Sequence, residues 1–153
     1  NVHPAAIAHE RDDRIKRLAG KIDRVLVDAP CSGLGTLRRN PDLKWRQSPE
    51  SVQEMALKQA AVLHSAARLL KPGGRLVYAT CSLLAQENEA IAEAFTASNP
   101  GFGPLAVGAI LSAQKLAGAA ALCSGGSDQQ LYLRLWPHRH QTDGFFAAAW
   151  QKK

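Results

Sequence analysis

Residues 25–32 read VLVDAPCS, a short apolar run that breaks abruptly and ends in a Cys-Ser pair. Three consecutive apolar residues are typical of a buried strand that helices cover on both faces of a sheet. Residues 76–82, LVYATCS, repeat this pattern and also end in a Cys-Ser pair. If the two strands are parallel neighbours, both thiols lie at the same edge of the sheet, where open α/β folds bind their ligands. The repeated pattern therefore predicts a reactive edge.

Helical patterns precede and follow the second predicted strand at residues 76–82, as expected if helices cover the sheet. Ser48 and Pro49 form a strong helix start, and apolar residues recur at helical spacing from there to residue 70. The sequence KPGG at 71–74 is expected to end this helix, and residues 86–98 predict a second one. The glycine-containing stretch 31–49 is interpreted as a long loop.

The two ends of the chain are expected to add smaller elements. Residues 1–7 predict an irregular strand, residues 9–18 a short helix and residues 109–117 another short helix. Alternating leucines at 130–136 and an apolar aromatic run at 144–150 predict an antiparallel pair at a sheet edge. The order of the elements favours an α/β fold with a doubly wound, mostly parallel sheet and a C-terminal antiparallel hairpin.

The composition limits the kind of protein. With 153 residues, of which 46% are apolar, one domain with a packed core is the simplest expectation. The 19 basic residues outnumber the 13 acidic ones, which favours a polyanionic partner without requiring one. Three cysteines without a C-x-x-C pair argue against a disulfide framework and against structural zinc. The sequence has no apolar run of about 18 residues and no signal-peptide pattern, so a soluble cytoplasmic protein is expected.

The motifs around the two cysteines resemble a known enzyme family. DAPCSG at residues 28–33 and TCS at residues 80–82 are similar to motifs IV and VI of the RNA cytosine-C5 methyltransferases of the NOL1/NOP2/Sun family. The likeness continues through Gly35, RRNPD at 38–42, Lys44, Trp45, KPGG at 71–74, QENE at 86–89 and DGFF at 143–146. It covers most of the chain from Asp23 onward, and it is greatest to bacterial members that act on 16S ribosomal RNA.

The resemblance implies a Rossmann-like fold that binds S-adenosylmethionine and methylates cytosine C5 in small-subunit ribosomal RNA. It implies that Cys81 is the nucleophile, which adds to C6 of the cytosine so that C5 can accept the methyl group. Cys31 would assist the release of this adduct, and Asp28 would contact the cofactor, the polar edge of the cytosine or both. Without the resemblance, each lone cysteine is most simply a small buried residue, and Asp28 a helix cap or loop brace.

A basic segment follows the first cysteine. It contains four cationic side chains around one tryptophan: Arg38, Arg39, Lys44, Trp45 and Arg46. Phosphate contacts beside a stacking aromatic ring would suit RNA, whose bases are usually recognised in single-stranded regions. The same residues also fit a solvated basic loop without any partner. The segment is therefore a candidate RNA-binding surface.

Other reactive side chains carry weaker signals. Ser32 and Ser82 do not lie in a G-x-S-x-G motif, which argues against hydrolase chemistry. No standard zinc spacing fits the three residues His138, His140 and Asp143. We therefore expect no metal, and we expect a loop or hydrogen-bonding role for these three residues.

Two cofactor-binding signals of the family are absent from the sequence, namely a glycine-rich loop after the first strand and an acidic residue after the second. The GLG at 33–35 lies inside the cysteine motif and precedes no helix start. We therefore expect residues 1–153 to be the C-terminal portion of a single S-adenosylmethionine-dependent catalytic domain, with the first strands missing and the cofactor site incomplete. Such a portion is expected not to methylate RNA by itself.

Two other classes of function stay open at this point. A non-catalytic RNA-binding module could keep the same fold as a scaffold for ribosome assembly, and a redox sensor could oxidise Cys31 and Cys81 to a disulfide. The two thiols together with Asp28 favour the enzyme, because RNA binding alone needs no second thiol. A reducing cytoplasm disfavours a stable disulfide.

Overall fold

The computed structural model describes residues 2–124 and 130–153, which form one six-stranded sheet with helices packed against it. The strands are Ile22–Asp28 (β1), Leu70–Thr80 (β2), Phe102–Leu105 (β3), Cys123–Ser124 (β4), Tyr132–Leu135 (β5) and Phe145–Lys152 (β6). The α-helices are Asp13–Lys16 (α1), Leu43–Arg46 (α2), Pro49–Ala67 (α3), Glu89–Ser98 (α4), Val107–Ala113 (α5) and Pro137–His140 (α6). None of the described helices is long and apolar enough to cross a membrane. The α/β class expected from the sequence is confirmed.

The sheet is mixed, with the strand order β1-β2-β6-β5-β4 and with β3 also paired to β6. β1 and β2 are parallel, with Val27 opposite Tyr78 and Asp28 opposite Ala79. The other four pairings between described strands are antiparallel. The parallel neighbours expected from the two Cys-Ser stretches are thus β1 and β2, and the larger share of the described sheet is antiparallel.

The last strand lies in the interior of the sheet, which corrects the expectation that the C-terminal pair forms a sheet edge. β6 pairs with β2 along one side, while β5 and β3 share its other side. The predicted antiparallel pairing of β5 with β6 is confirmed. Phe146, Ala148, Ala149 and Trp150 are all buried, as is typical of a central strand. The sequence shows this apolar run but not which strands lie beside it.

Helix α3 begins where the sequence predicts it. Ser48 and Ser51 form a reciprocal capping box, in which each hydroxyl accepts a hydrogen bond from the backbone N–H of the other residue. Pro49 occupies the first helical position, where a missing N–H costs nothing. These three residues fix the end of the loop that leads from the first cysteine to α3.

The KPGG segment at 71–74 forms an irregularity in β2 and does not end the helix, which already stops at Ala67. In the pairing of the two strands, Ile22 of β1 lies opposite Leu70 of β2, and Arg24 lies opposite Arg75. The residues of β2 between Leu70 and Arg75 outnumber those of β1 between the same pairs, so they bulge out of the ladder. Gly73 has a φ of 78°, a left-handed conformation that favours glycine. The sequence-based expectation of a helix terminator is therefore wrong, because the same residues are used to shape a strand.

The smaller elements lie close to their expected places, with one exception. Helix α1 falls within 9–18, α5 begins slightly before the predicted 109–117, and the stretch 31–49 contains α2 and a 3-10 turn at Leu34–Thr36. The predicted N-terminal strand is wrong for residues 2–7, which form no regular element, and Asn1 lies outside the described residues. Pro4 is consistent with this outcome, because proline cannot donate to a strand ladder.

The core lies between the sheet and helices α3 and α4. Leu63 of α3, Tyr78 of β2 and Trp150 of β6 are almost completely buried. The Phe95 ring meets the Trp150 ring edge to face with centroids 4.9 Å apart. Trp150 Nε1 donates a hydrogen bond to Thr96 Oγ1 at 2.8 Å, so the one polar atom of this ring is satisfied. This packing fixes β2, whose carboxyl end carries the second cysteine.

Two leucines of α3 give a matched test of this core. Leu63 is 0% exposed and Leu57 is 69% exposed on the same helix. Leu63→Ala should reduce the free energy of unfolding by about 2–5 kcal/mol, because it leaves a cavity. Leu57→Ala should change it by no more than about 0.5 kcal/mol. Urea unfolding followed by tryptophan fluorescence measures both values, and equal losses would contradict the described packing of α3.

Candidate active site

The structure brings the two predicted thiols together at the carboxyl ends of β1 and β2. Asp28 ends β1 opposite Ala79, and Ala29 N donates to Ala79 O at 2.9 Å, so both chains leave the sheet side by side. Cys31 Sγ and Cys81 Sγ lie 3.5 Å apart, and both cysteines are free and half-buried. The expectation that parallel pairing puts both thiols at one edge is confirmed.

A buried carboxylate joins the two Cys-Ser pairs. Glu87 Oε2 accepts hydrogen bonds from the hydroxyls of Ser32, at 2.5 Å, and of Ser82, and these two hydroxyl oxygens lie 3.2 Å apart. Glu87 Oε1 accepts from the backbone N–H of Ser32 at 2.8 Å. All three residues are buried. Each cysteine is therefore followed by a serine that is tied to the same side chain.

Further polar side chains surround this carboxylate. Gln59 Nε2 of α3 donates to Glu87 Oε1 at 3.1 Å and to Pro30 O at 2.9 Å. Asn88 Nδ2 donates to Ser82 O at 3.0 Å, and Asn88 Oδ1 accepts from Thr80 Oγ1. Buried polar groups of this kind stabilise a geometry only when their hydrogen bonds are made. The network links α3 and α4 to both cysteine loops.

Two glycines allow the first cysteine loop to cross close to the second. Gly35 N donates to Cys81 O at 2.8 Å, and Gly144 N donates to Gly35 O at 2.8 Å. A Cβ on Gly35 would stand 2.4 Å from Gly144 O and 2.6 Å from Cys81 O, which is too close for any side chain. The backbone amide of Gly35 is thereby engaged inside the protein. The GLG at 33–35 consequently does not form an open loop for a cofactor.

The surroundings of Cys31 keep its thiol protonated. Burial raises the pKa of Cys31 to about 12, and the proximity of Cys81 adds to this rise. A thiol with this pKa retains its proton near neutral pH. Cys31 can therefore act as an S–H donor toward Cys81 Sγ across the 3.5 Å contact.

Asp28 lies at the same edge of the sheet and is exposed. Within residues 2–124 and 130–153, its carboxylate has no hydrogen-bond or ion-pair partner. The alternative role of a loop brace therefore has no contact to support it among the described residues. A carboxylate without a partner fits a ligand that presents hydrogen-bond donors, such as the amino or hydroxyl groups of a nucleoside-type cofactor.

The basic segment is partly held by ion pairs. Arg38 Nε and Arg39 Nε bind the two oxygens of Asp143, the second at 2.8 Å, and the hydrogen bond from Arg38 holds the pKa of Asp143 below its usual range. Lys44 Nζ lies 4.8 Å from the ring centroid of Trp45, which is 81% exposed. Arg46 makes a separate ion pair with Asp42 of the same loop. Asp143 thus ties the basic segment to the start of β6, and the tryptophan ring remains open to solvent.

A buried arginine supports the segment that follows Cys81. Arg134 is 5% exposed, its Nη2 donates to Leu83 O at 2.9 Å, and its guanidinium lies 4.3 Å from the ring centroid of Trp136. Glu89 Oε1 approaches Arg134 Nε to 3.6 Å. No sequence pattern singles out Arg134, because a lone arginine in an alternating strand is typical of an outward-facing residue.

The histidine cluster makes hydrogen bonds within the fold. His140 Nδ1 accepts from Trp136 N at 2.8 Å, and His140 Nε2 lies 3.0 Å from Ala121 O. Asp143 belongs to the ion pairs of the basic segment. His140 and Asp143 therefore both have the hydrogen-bonding role that the sequence favoured. His138 is exposed, and its ring lies 6.1 Å from that of Trp136.

Sequence reasoning found the two cysteines and Asp28 but not the side chain that unites them. In the sequence, Glu87 belongs to the QENE motif, and Gln59 lies within a predicted helix without a motif of its own. The available signal was a pair of polar residues at the buried face of predicted helices. A buried polar side chain usually has a specific partner, but its identity is visible only in three dimensions.

Comparison with known proteins identifies the family. A model of the family described as 16S rRNA methyltransferase RsmB/F matches residues 2–151. Ribosomal RNA small subunit methyltransferase B of Salmonella arizonae is 39% identical over 133 residues, which represent 87% of this chain and 27% of that protein. The chain spans about a quarter of the length of the curated relatives it matches.

Solved structures resemble the chain over most of its length. The crystal structure of PH0851 has a TM-score of 0.74 at 39% identity, over 88% of this chain and 27% of that one. The crystal structure of NSun6 from Pyrococcus horikoshii with SFG has a TM-score of 0.67 at 28% identity, over 91% of this chain and 32% of that one. Both likenesses extend well beyond the two cysteine loops.

The protonated state of Cys31 can be tested by alkylation with iodoacetamide, followed by peptide mass spectrometry. Because the thiolate is the reacting form, the rate at Cys31 should rise about tenfold per pH unit from about pH 7 to about pH 10 without levelling off. The chain unfolded in urea is the control, and there the rate should level off near the ordinary pKa of about 8.5. A plateau below about pH 9.5 in the folded chain would show that burial does not raise this pKa.

Proposed function

The chain belongs to the RsmB/F family of 16S rRNA methyltransferases, and on this premise we propose that its thiol pair methylates C5 of a cytosine in small-subunit ribosomal RNA. The observation that carries the proposal is the 3.5 Å contact between Cys31 Sγ and Cys81 Sγ at the ends of two parallel strands. Cytosine C5 is a weak nucleophile, and covalent addition of a thiol at C6 activates it. A substrate of this kind supports a cytoplasmic location for the protein.

Cys81 is the proposed nucleophile. Its sulfur, which reacts in the thiolate form, forms a bond to C6, and the electron pair of the C5=C6 double bond becomes available at C5. S-adenosylmethionine, when bound, supplies the methyl group that C5 takes up. Afterwards a water molecule takes up the C5 proton, the electron pair of that C–H bond restores the C5=C6 bond, and the electrons of the S–C6 bond return to Cys81 Sγ. The cytosine must be unpaired or flipped out for this geometry to be reached.

Cys31 is proposed to assist release of the adduct. It keeps its proton near neutral pH because burial raises its pKa to about 12. Its S–H group lies within reach of the sulfur that departs from C6. A hydrogen bond to the developing thiolate stabilises it as charge accumulates, since charge-assisted hydrogen bonds are stronger than neutral ones.

Asp28 is the proposed contact for the cofactor, for the polar edge of the cytosine or for both. Its exposed carboxylate at the carboxyl end of β1 supports either role. The methyltransferase family supports S-adenosylmethionine as the cofactor, and the NSun6 relative was crystallised with SFG. The amide of Gly35 is already bound to Cys81 O, so this N–H is not available to a cofactor.

We further propose that residues 1–153 form the C-terminal portion of one catalytic domain. The chain covers 27% of the Salmonella relative, a share consistent with one portion of a longer protein. β1 lies at one end of the described sheet, and its Leu26 is 67% exposed, which is unusual for a strand of apolar sequence. By itself the chain is proposed to lack methyl transfer, because its cofactor site is incomplete.

The basic segment is the proposed RNA contact. Trp45 offers an exposed ring for stacking, and Lys44 offers a cation beside it. Arg38 and Arg39 would contact phosphate while Asp143 holds their loop, and Arg46 would add charge at the end of α2. The same surface would serve a non-catalytic assembly module, which is the second candidate function. The thiol pair favours the enzyme, because a module that only binds RNA does not need it.

RNA that contains 5-fluorocytosine tests the covalent mechanism in the longer protein that carries this chain. Fluorine at C5 cannot leave as a proton does, so a complex of protein and RNA should survive denaturing electrophoresis. Cys81→Ser should abolish the complex, while Cys123→Ser should retain it, because Cys123 lies in β4 away from the site. Cys31→Ser should accumulate adduct on ordinary RNA, because release is impaired.

The outcomes separate the candidate functions. Adduct that persists in Cys81→Ser would overturn the assignment of the nucleophile, and absence of adduct in the unsubstituted protein would favour the assembly module. Residues 1–153 alone serve as an internal comparison and should transfer no methyl group from labelled cofactor. Turnover by these residues alone would contradict the proposed extent of the domain.

RNA affinity of the longer protein tests the basic segment. Trp45→Ala should weaken binding by about 1–3 kcal/mol through loss of stacking. Lys44→Ala should reduce the slope of log affinity against log salt by about 0.7, the value for one phosphate contact to a single strand. Lys21→Ala is the matched control, because Lys21 is exposed immediately before β1, at the opposite end of that strand. Fluorescence anisotropy at several salt concentrations measures all three, and an equal loss in Lys21→Ala would contradict a local RNA contact.

A further inference from the structure

We infer that Glu87 is a positioning residue that holds the Cys31 and Cys81 thiols within reach of each other. No covalent or metal link joins the two cysteine loops among the described residues, and the loops come from strands far apart in sequence. Each loop contributes the serine that follows its cysteine. Both serines converge on the Glu87 carboxylate, which therefore acts as a clamp between the loops.

The geometry favours a carboxylate at this position. Its two oxygens accept from four donors, namely the backbone N–H of Ser32, the hydroxyls of Ser32 and Ser82, and the Gln59 amide. A glutamine would offer one acceptor oxygen and would turn an NH2 group toward one or more of these donors. Hydrogen bonds to an ionised acceptor are also shorter and about twice as strong as neutral ones.

The burial of Glu87 indicates that its carboxylate holds the two loops in one geometry and does not serve to stabilise the fold. Glu87 is 0% exposed, and it makes no ion pair with any cation in the described parts of the chain. Burying such a group is costly unless hydrogen bonds replace its water. An apolar residue of similar size would pack at this place without that cost, but it would leave the two serines unlinked.

The clamp is itself held in place on the sheet and on α3. Tyr78 OH of β2 donates to the backbone oxygen of Glu87 at 2.6 Å, and Gln59 joins the carboxylate to the backbone of Pro30. Tyr78 lies on β2 two residues before Thr80, the last residue of the strand. Its hydrogen bond therefore fixes Glu87 relative to the strand that leads into Cys81. The position of Ser32, and with it Cys31, is thereby fixed relative to β2.

The thiol–disulfide equilibrium of the chain with glutathione tests this inference without RNA or cofactor. One oxidised glutathione accepts two electrons from Cys31 and Cys81, which gives an intrachain disulfide and two molecules of reduced glutathione. The sulfurs need to approach by roughly 1.5 Å to reach the S–S bond length of about 2.0 Å. Thiols held in proximity form this bond with a larger equilibrium constant, and Cys123→Ser as a background removes competing pairings.

Glu87→Gln should lower this equilibrium constant at least about tenfold, which corresponds to an increase of about 30 mV in reduction potential. Thr96→Val is the control, because it removes the hydrogen bond to Trp150 and destabilises the core without touching either cysteine loop. Thr96→Val should leave the equilibrium constant unchanged, even though its urea midpoint falls about as much as that of Glu87→Gln. An unchanged constant in folded Glu87→Gln, or an equal loss in Thr96→Val, would overturn the inference.

If Glu87→Gln does not fold, the serines provide a second test. Ser32→Ala and Ser82→Ala each remove one hydroxyl donor and leave the carboxylate with its other partners. Each should lower the equilibrium constant, and the double variant should lower it further. No change in any of the three would contradict the clamp.

The catalytic value of the clamp rests on the proposed function, whereas its geometry does not. In the longer protein, Glu87→Gln or the serine variants should lower kcat for methylation while KM for RNA stays unchanged, because the thiols and not the RNA surface are displaced. If the glutathione result holds and no variant or unsubstituted protein methylates RNA, the proposed function fails and the clamp stands. If methylation occurs and the glutathione constant does not respond, the clamp alone fails.

Discussion

Backbone hydrogen bonds between β1 and β2 hold the carboxyl ends of both strands side by side, and every feature of the candidate site depends on that pairing. The register sets Asp28 opposite Ala79, so the chain leaves both strands at the same edge of the sheet shortly before Cys31 and Cys81. A shift of one residue would turn alternate side chains to the other face of the sheet. The apolar residues buried against α3 and α4 therefore fix the position of the thiols as well as the stability of the fold.

The polar groups at the end of β1 and β2 form a second layer of organisation. Ser32, Ser82, Glu87, Asn88 and Gln59 are buried, and they are joined by hydrogen bonds into one network. Such a network adds little net stability, because each group gives up its bonds to water. It does restrict the loops to one arrangement, since any other leaves buried donors without acceptors. This explains why the proposed site for thiol chemistry rests on a polar core at the edge of an apolar one.

Sequence patterns predicted the parts of the molecule that local chemistry controls. The apolar runs of β1 and β2, the capping residues of α3 and the α/β order were confirmed, because each depends on neighbours within a few residues. The KPGG segment and the place of β6 were predicted wrongly. A glycine pair fits a helix end or a strand bulge equally well, and an apolar strand looks the same at either of two positions in a sheet. The role of Glu87 has no local sequence signal, because its partners lie up to 55 residues away in sequence.

The sequence by itself determined the class of fold, the two strand ends with their cysteines and, through the motifs around them, the family. These properties reside in residue types and short spacings, which do not change when the chain folds. The tertiary structure alone decided that the thiols lie 3.5 Å apart, that Arg38 and Arg39 share Asp143, and that one buried carboxylate joins both loops. Distances between distant segments follow from the packing of the whole core, and no local pattern contains them.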